Sequence, residues 1–542
     1  MSASTDPALE AFWSAERRAW PVALAAGLGA FALYAATSSP LVFTADPAEF
    51  QTLARTGGIA HAGYPAYVRL LQLVGAVPLG TLAQRANLLT AAFGAAAIAL
   101  LAYTAQRWNG NRWAALAAAA AFAMGVSAWN EATLAGVHAP TLAVDAALLL
   151  LALRYRWRPS LALAGAAGLL FGLGLTGHLT VLGLAPPLAL ALLGGLRRAD
   201  RPARHVAVAA LALLAGLLPF ADTLARDRPE QPMNYLHDTL EPGAMPFAVE
   251  RPDLGQRLRR LEWLLTGREW LENDRRDLPR LTYRAWRVVS AVFLNDLPFL
   301  TSLLAGAGLF LLLRGGGAPA VLVFSWFATA MVLTGLGGVE KTLHYFFLPC
   351  TWVLALALAV ALARLAARRR AWAVFAGAIV LATPLVRLSL AEPPGPLSRS
   401  HMWADVWGMA PRAWSPFRTD RKYDEYGRGV MQRLPPRAVV LGGKWEESAT
   451  LRYFVFGEPL RPDVDVLYAG VAAPRFGRLR EAAERAGRPV FSTRVLPGEL
   501  PAGVRFEPVW DSGWRELWRV TRDSTAAPGG TSPMPPNAAP GR

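Results

Sequence analysis

Apolar runs of about twenty residues recur along most of this chain, and they constrain its fold more than any motif does. The stretches 20–37, 85–106 and 343–363 are examples, rich in Ala, Leu, Gly and Val. A helix of that length crosses a hydrocarbon core of about 30 Å. Backbone inside lipid has to satisfy its own hydrogen bonds, which leaves helices or a closed barrel. These runs do not alternate as barrel strands would. Only 17% of residues are charged, against about a quarter in a soluble domain. The expected fold is a polytopic α-helical membrane protein.

Spans are expected at 20–37, 85–106, 112–129, 139–155, 159–175, 179–196, 205–222, 289–313, 318–336, 343–363 and 371–390, about eleven in all. Arginines cluster in alternate loops: Arg17/Arg18, Arg107/Arg112, Arg154/Arg156/Arg158, Arg197/Arg198/Arg201/Arg204, Arg314 and Arg364/Arg368/Arg369/Arg370. By the positive-inside rule that side is the cytoplasm. The net charge of +16 is therefore read as membrane topology, and nucleic acid is excluded as a partner. The expected location is a bacterial inner membrane. Residues 1–19 form a cytoplasmic N-terminus, and the first span is a retained anchor. The single cysteine, Cys350, falls in an apolar run, so no disulfide within the chain is possible.

The opposite face then carries an outer loop 38–84, a second outer loop 223–288, and everything after residue 391. Segment 47–80 mixes apolar residues with Arg55, His61, Pro65 and Arg69, which suits short helices lying along the interface. The loop 223–288 carries Tyr235, Phe247, Trp263 and Trp270 and is expected to hold interfacial helices. Past Pro393-Pro394-Gly395-Pro396 the composition turns soluble. Strands near 438–441, 465–468 and 489–492 alternate with helices near 447–456 and 476–487. Residues 391–522 read as a small α/β extracytoplasmic domain with a partly parallel sheet, closed by a hairpin near 510–520. Residues 523–542 read as a disordered tail.

The residues with chemical potential collect at the outer face. Asp46 and Glu49 stand three apart, directly after the first span, and share a face if the segment is helical. Such a carboxylate can act as a general base toward an acceptor hydroxyl. The pair can also hold a divalent cation. A purely structural role stays open beside these: Asp46-Pro47-Ala48-Glu49 has the pattern of a helix-capping box with Pro at the first helical position. His61, followed by Gly63-Tyr64-Pro65, can donate to a phosphate or sugar, or simply shape a turn. Glu131 and His138 on the next outer loop, and His178 in a tight turn, are further substrate-binding candidates. Lys341 and His344 follow Gly335-Leu336-Gly337-Gly338 and can meet a lipid phosphate, or snorkel at a span end. Asp145 lies about two turns inside a span, where ionisable groups are costly. Gly442-Gly443-Lys444 lacks the spacing of a phosphate-binding loop, and no nucleotide motif occurs elsewhere.

Asp46-Pro47-Ala48-Glu49-Phe50, Gly58-Ile59-Ala60-His61, Gly63-Tyr64-Pro65-Ala66-Tyr67 and Arg85-Ala86-Asn87-Leu88-Leu89 resemble the GT-C class of glycosyltransferases. More closely, they are similar to a bacterial membrane family whose animal relative is a transmembrane protein O-mannosyltransferase. Leu434-Pro435-Pro436-Arg437-Ala438-Val439-Val440 and Arg461-Pro462-Asp463-Val464 extend the likeness into the soluble part. Two departures stand out. The interval from His61 to Gly63-Tyr64-Pro65 is one residue shorter than the family pattern. Gly136-Val137-His138 replaces a Glu-Val-Tyr, leaving Glu131, offset, as the nearest carboxylate.

The resemblance implies a sugar donor linked to polyprenyl phosphate and chemistry at the outer face. It implies Asp46 as catalytic base or as a metal or acceptor contact, with Glu49 in support and Lys341 or a nearby Arg on the lipid phosphate. The expected activity is transfer of a hexose, mannose being the first candidate, to a protein or glycan acceptor. No cofactor is required beyond the open question of a divalent cation at Asp46 and Glu49. Two other readings remain: a transporter or flippase of lipid-linked sugar, built around Asp145, and a non-catalytic assembly protein.

Overall fold

The computed structural model describes residues 6–14, 19–240, 251–268, 278–337, 343–389, 418, 420–469, 473–495, 504–513 and 515–522. Phe247, Trp270, Lys341 and the tail 523–542 lie outside these. The chain divides into two compact units. One comprises Met1–Ser38, Leu88–Phe220 and Gly267–Phe417; the other comprises Ser39–Asn87, Ala221–Thr266 and Arg418–Arg542.

The first unit is helical. Among the described residues of the chain, six helices are long and apolar enough to cross a membrane: Ala19–Thr37, Leu82–Asn109, Leu179–Leu196, Pro202–Arg226, Gly317–Thr334 and Leu348–Arg368. A seventh span arises if Arg112–Ala123 and Val126–Thr133, bent by 67°, are taken together. This is a multi-pass helical membrane protein. The expected count of about eleven is not reached by this criterion. Leu161–Gly177 and Leu300–Arg314 are apolar but short, and the span expected at 112–129 is broken. At the break, Asp296 accepts a hydrogen bond from the Ser127 N–H at 2.8 Å, satisfying a donor that the fresh helix start would leave orphaned.

Small residues set the packing here, as they do where lipid removes the hydrophobic drive between helices. A side chain on Gly172 would place its Cβ 2.4 Å from the Leu213 carbonyl and 2.9 Å from Gly216, so Leu161–Gly177 and Pro202–Gly216 touch backbone to backbone. The buried aromatics satisfy their polar ends. The Tyr34 hydroxyl donates to the Ala123 carbonyl at 3.0 Å, and the Trp352 indole N–H to that of Ala97 at 3.1 Å. Asp145 is buried in the helix His138–Trp157, and its Oδ1 has no hydrogen-bond partner among the described residues.

The second unit gathers three separate stretches around one sheet. Its strands are β1 (Val439–Gly442), β2 (Asp465–Tyr468), β3 (Val490–Ser492), β4 (Val504–Asp511) and β5 (Glu516–Arg522). Their order is β2-β1-β3-β5-β4. β1 runs parallel to β2 and β3, while β5 is antiparallel to β3 and β4. Val439, Leu441, Leu467 and Val490 are buried with Phe476 and Leu479 of the helix Ala473–Arg485. The loop after β1 spends its donors internally. The Gly443 N–H donates to Thr493 Oγ1, and the Lys444 N–H to Glu447 Oε2, so no phosphate cradle forms there.

Onto this sheet unit fold the helices Ala45–Thr56 and Pro65–Gly75. The Thr44 hydroxyl donates to the Glu446 carbonyl at 3.1 Å, and Arg55 to the Gly457 carbonyl at 3.3 Å. The chain after the helix Ala45–Thr56 pairs with the segment 233–235: the Ile59 N–H donates to the Met233 carbonyl, and the Tyr235 N–H to that of Ile59. Arg85 ties the carbonyls of Gly75, Leu79 and Gly80, and Asn87 joins Gln51 to the Ser39 carbonyl. Leu70, Leu73, Val77 and Leu79 remain exposed, the pattern of a segment resting on an apolar interface.

Candidate functional site

The helix Ala45–Thr56 is entered through Thr44, not through Asp46. Thr44 holds the N-cap position with extended backbone, and Asp46 is the second helical residue. The capping-box reading of Asp46 and Glu49 therefore does not hold. Glu49 turns to His61 instead. Glu49 Oε1 accepts the His61 backbone N–H at 2.9 Å, while Oε2 lies 2.5 Å from the ring Nδ1. The opposite ring nitrogen, Nε2, stands 3.4 Å from Asp46 Oδ2. One imidazole thus bridges the two carboxylates.

Backbone conformation is what brings His61 there. Gly57 and Gly58 have φ of 61° and 115°, and Ala62, Gly63 and Tyr64 follow with 56°, 96° and 53°. Ala45, beside Asp46, has φ 55°. Each non-glycine residue in this region costs on the order of 1 kcal/mol. Such strain persists only where surroundings enforce it, and here it brackets the two carboxylates and the imidazole on both sides. Pro65 then starts the next helix at its favoured first position.

The three groups differ sharply in exposure: 1% for the Glu49 side chain, 15% for His61 and 51% for Asp46. Burial works against a charged His61 ring, but the charges and hydrogen bonds of Asp46 and Glu49 outweigh it, so its pKa rises well above the usual value. The shift favours the charged form of the ring. Burial also pushes the Tyr64 hydroxyl up to about 12, so it stays protonated. Asp46 alone presents a half-exposed carboxylate with a cation at its back.

This arrangement bears on the divalent-cation reading. Both Glu49 oxygens are engaged by His61, whose ring lies between the two carboxylates. Among the described residues no group of three or more His, Cys, Asp or Glu is placed to hold a metal ion.

Aromatic rings enclose His61. The centroids of Tyr64, Phe50, Tyr235 and Trp445 lie 5.8, 6.1, 6.1 and 6.3 Å from its ring. Tyr235 comes from the helix Tyr235–Leu240 and Trp445 from the helix Trp445–Arg452 that follows β1. Behind them the buried Arg452 pairs with Asp238 at 2.5 Å and donates to the Val466 carbonyl. Sequence reasoning did not find Trp445 or Arg452. One signal was available for Trp445: it follows the carboxyl end of the central parallel strand, where open α/β sheets present ligand contacts.

The remaining candidates belong to the helical unit. His138 and His178 come together, ring centroids 5.1 Å apart, with Tyr345 and Phe346 alongside His138 at 5.6 and 5.1 Å. His178 Nδ1 accepts the Thr180 N–H, so its proton sits on Nε2, and the residue caps the turn Leu179–Leu184. Glu131 is half-buried on the helix Val126–Thr133. His344 lies in the one-turn helix Leu343–Phe346, and Lys341 is outside the described residues.

Over 93% of its length the chain superposes on solved structures of ArnT from Cupriavidus metallidurans. The form bound to undecaprenyl phosphate matches with a TM-score of 0.56 at 16% identity, covering 93% of this chain and 99% of that one. The apo form gives 0.55 at 15% identity, covering 93% and 98%. The fold is that of the GT-C membrane glycosyltransferases. Residues 46–199 match the family described as the protein O-mannosyl-transferase TMEM260 N-terminal domain. The protein O-mannosyl-transferase TMEM260 of Mus musculus is 33% identical over 111 residues, covering 19% of this chain and 16% of the mouse protein. The chain thus matches about a sixth of that relative's length. The family match begins at Asp46 and takes in Glu49 and His61.

Proposed function

We propose that this chain is an integral-membrane glycosyltransferase that moves a hexose from a polyprenyl-phosphate donor to a hydroxyl of a protein or glycan. The reaction takes place at the outer face of a bacterial inner membrane. One observation carries the reading: the half-exposed carboxylate of Asp46 stands beside an imidazolium that buried Glu49 anchors. The GT-C fold supports a lipid-linked donor, since ArnT of that fold was solved with undecaprenyl phosphate. The family matched over 46–199 makes mannose the first hexose to test.

The chemistry follows from the geometry. The acceptor hydroxyl oxygen attacks C1 of the hexose while Asp46 takes its proton. The bond from C1 to the phosphate oxygen breaks, and polyprenyl phosphate departs with the electron pair. His61 aims the Asp46 carboxylate through Nε2, 3.4 Å from Oδ2, and Glu49 fixes the ring by its two hydrogen bonds. Lys341 or a nearby arginine, with His344, is the proposed contact of the lipid phosphate, and His138 and His178 remain substrate-binding candidates. The proton on Asp46 then passes to water, restoring the site.

One displacement inverts the anomeric centre. A β-linked hexosyl phosphate donor should therefore give an α-linked product, read from the anomeric coupling in its NMR spectrum. A β-linked product would require two displacements and would rule out Asp46 as a base acting in a single step.

A further inference from the structure

Trp445 stands out within its unit. Its indole N–H is buried and has no hydrogen-bond partner among the described residues. Buried tryptophans normally satisfy that donor, and leaving one unmade is costly. The ring itself is firmly held. It packs edge-to-face against Tyr235 at 6.2 Å and 80°, and against Tyr468 at 5.6 Å and 82°. It also meets His61 at 6.3 Å and 61°. Tyr235 is fixed in turn by its backbone bond to Ile59. The unit thus fixes an indole beside the Asp46–His61 pair while leaving its one polar atom unused.

A pyranose ring matches these features. Its C–H face packs on aromatic carbon, and its hydroxyls accept hydrogen bonds. We propose that Trp445, supplied by the C-terminal α/β portion of the chain, is a binding residue for a hexopyranose. The indole carries the apolar face of the sugar, and its N–H donates to a sugar hydroxyl. Tyr235 and Tyr468 hold the indole in place. This rests on the transferase reading for its place in catalysis but not for the binding itself. The sugar is either the hexose of the donor or a hexose of the acceptor.

The test is the binding of free mannose and glucose to the purified full-length protein in detergent, by saturation-transfer NMR titration. The wild type should bind at least one hexose with millimolar affinity. Trp445→Phe keeps a ring but loses the donor and should weaken binding about threefold to tenfold. Trp445→Ala should abolish it. Unchanged binding in Trp445→Phe and Trp445→Ala, or no binding to the wild type, overturns the proposal. If Trp445→Ala melts early, Trp445→Phe carries the test. Binding that depends on Trp445 in a protein without transfer activity would sink the transferase reading and leave the sugar site standing. Where transfer is observed, the substrate whose KM rises in Trp445→Phe at near-constant kcat identifies the source of the hexose.

Discussion

Asp46→Asn should lower the turnover number for sugar transfer by about a thousandfold, within the range of 10² to 10⁴ assigned to a positioned general base. Asn keeps the shape of Asp but cannot take up a proton at neutral pH. The side chain is half exposed, and the two short contacts that hold His61 in the turn come from Glu49, so the fold should survive. The loss should therefore fall on kcat, with donor KM within a few-fold of wild type and thermal melting little changed. Turnover above a tenth of wild type would remove Asp46 as the base.

Glu49→Gln should act through His61, and its signature is a dependence on pH. Both Glu49 oxygens meet His61, at the backbone N–H and at the ring. A glutamine amide would keep the first contact but turn N–H groups toward the ring nitrogen. The imidazolium would lose its buried counter-charge, and its pKa would fall. Transfer should drop about a hundredfold. The alkaline limb of the rate profile, where His61 gives up its proton, should move to lower pH.

Stability should follow the same group. A folded-state pKa raised above the unfolded value stabilises fully below the unfolded value, about 6.5. That contribution is lost as pH rises through the raised one. The variant should therefore be destabilised most near pH 6, by about 2–3 kcal/mol. The gap should narrow as the pH becomes alkaline. A Glu49→Gln protein with the wild-type rate profile and melting curve would show that Glu49 does not govern His61.

The membrane class was legible in the sequence because apolar length is a local property. The motif 46–65 was legible because its polar residues interrupt that pattern. The spacing of Asp46 and Glu49 placed them on one face of a helix, as found, but could not say what that face meets. The capping box failed because His61, twelve residues beyond Glu49, captured the carboxylate. That capture depends on positive φ at Gly57, Gly58, Ala62, Gly63 and Tyr64, which pattern reading does not reveal. Trp445 stayed hidden because its relation to His61 exists only after β1 and the first outer loop are folded together. Apolar runs such as 161–177 and 300–314 form helices of 17 and 15 residues, so the span count read from apolar length and the count read from helix length differ among the described residues.

The most direct measurement is donor turnover by the purified protein in detergent, wild type beside Asp46→Asn. Polyprenyl-phosphate mannose and polyprenyl-phosphate glucose would be supplied with hydroxyl acceptors, and released polyprenyl phosphate quantified together with the glycosylated product. The account predicts release by the wild type with at least one donor, matched mole for mole by product, and about a thousandfold less by the variant. Folded wild-type protein that turns over neither donor, or equal release by both proteins, would contradict it.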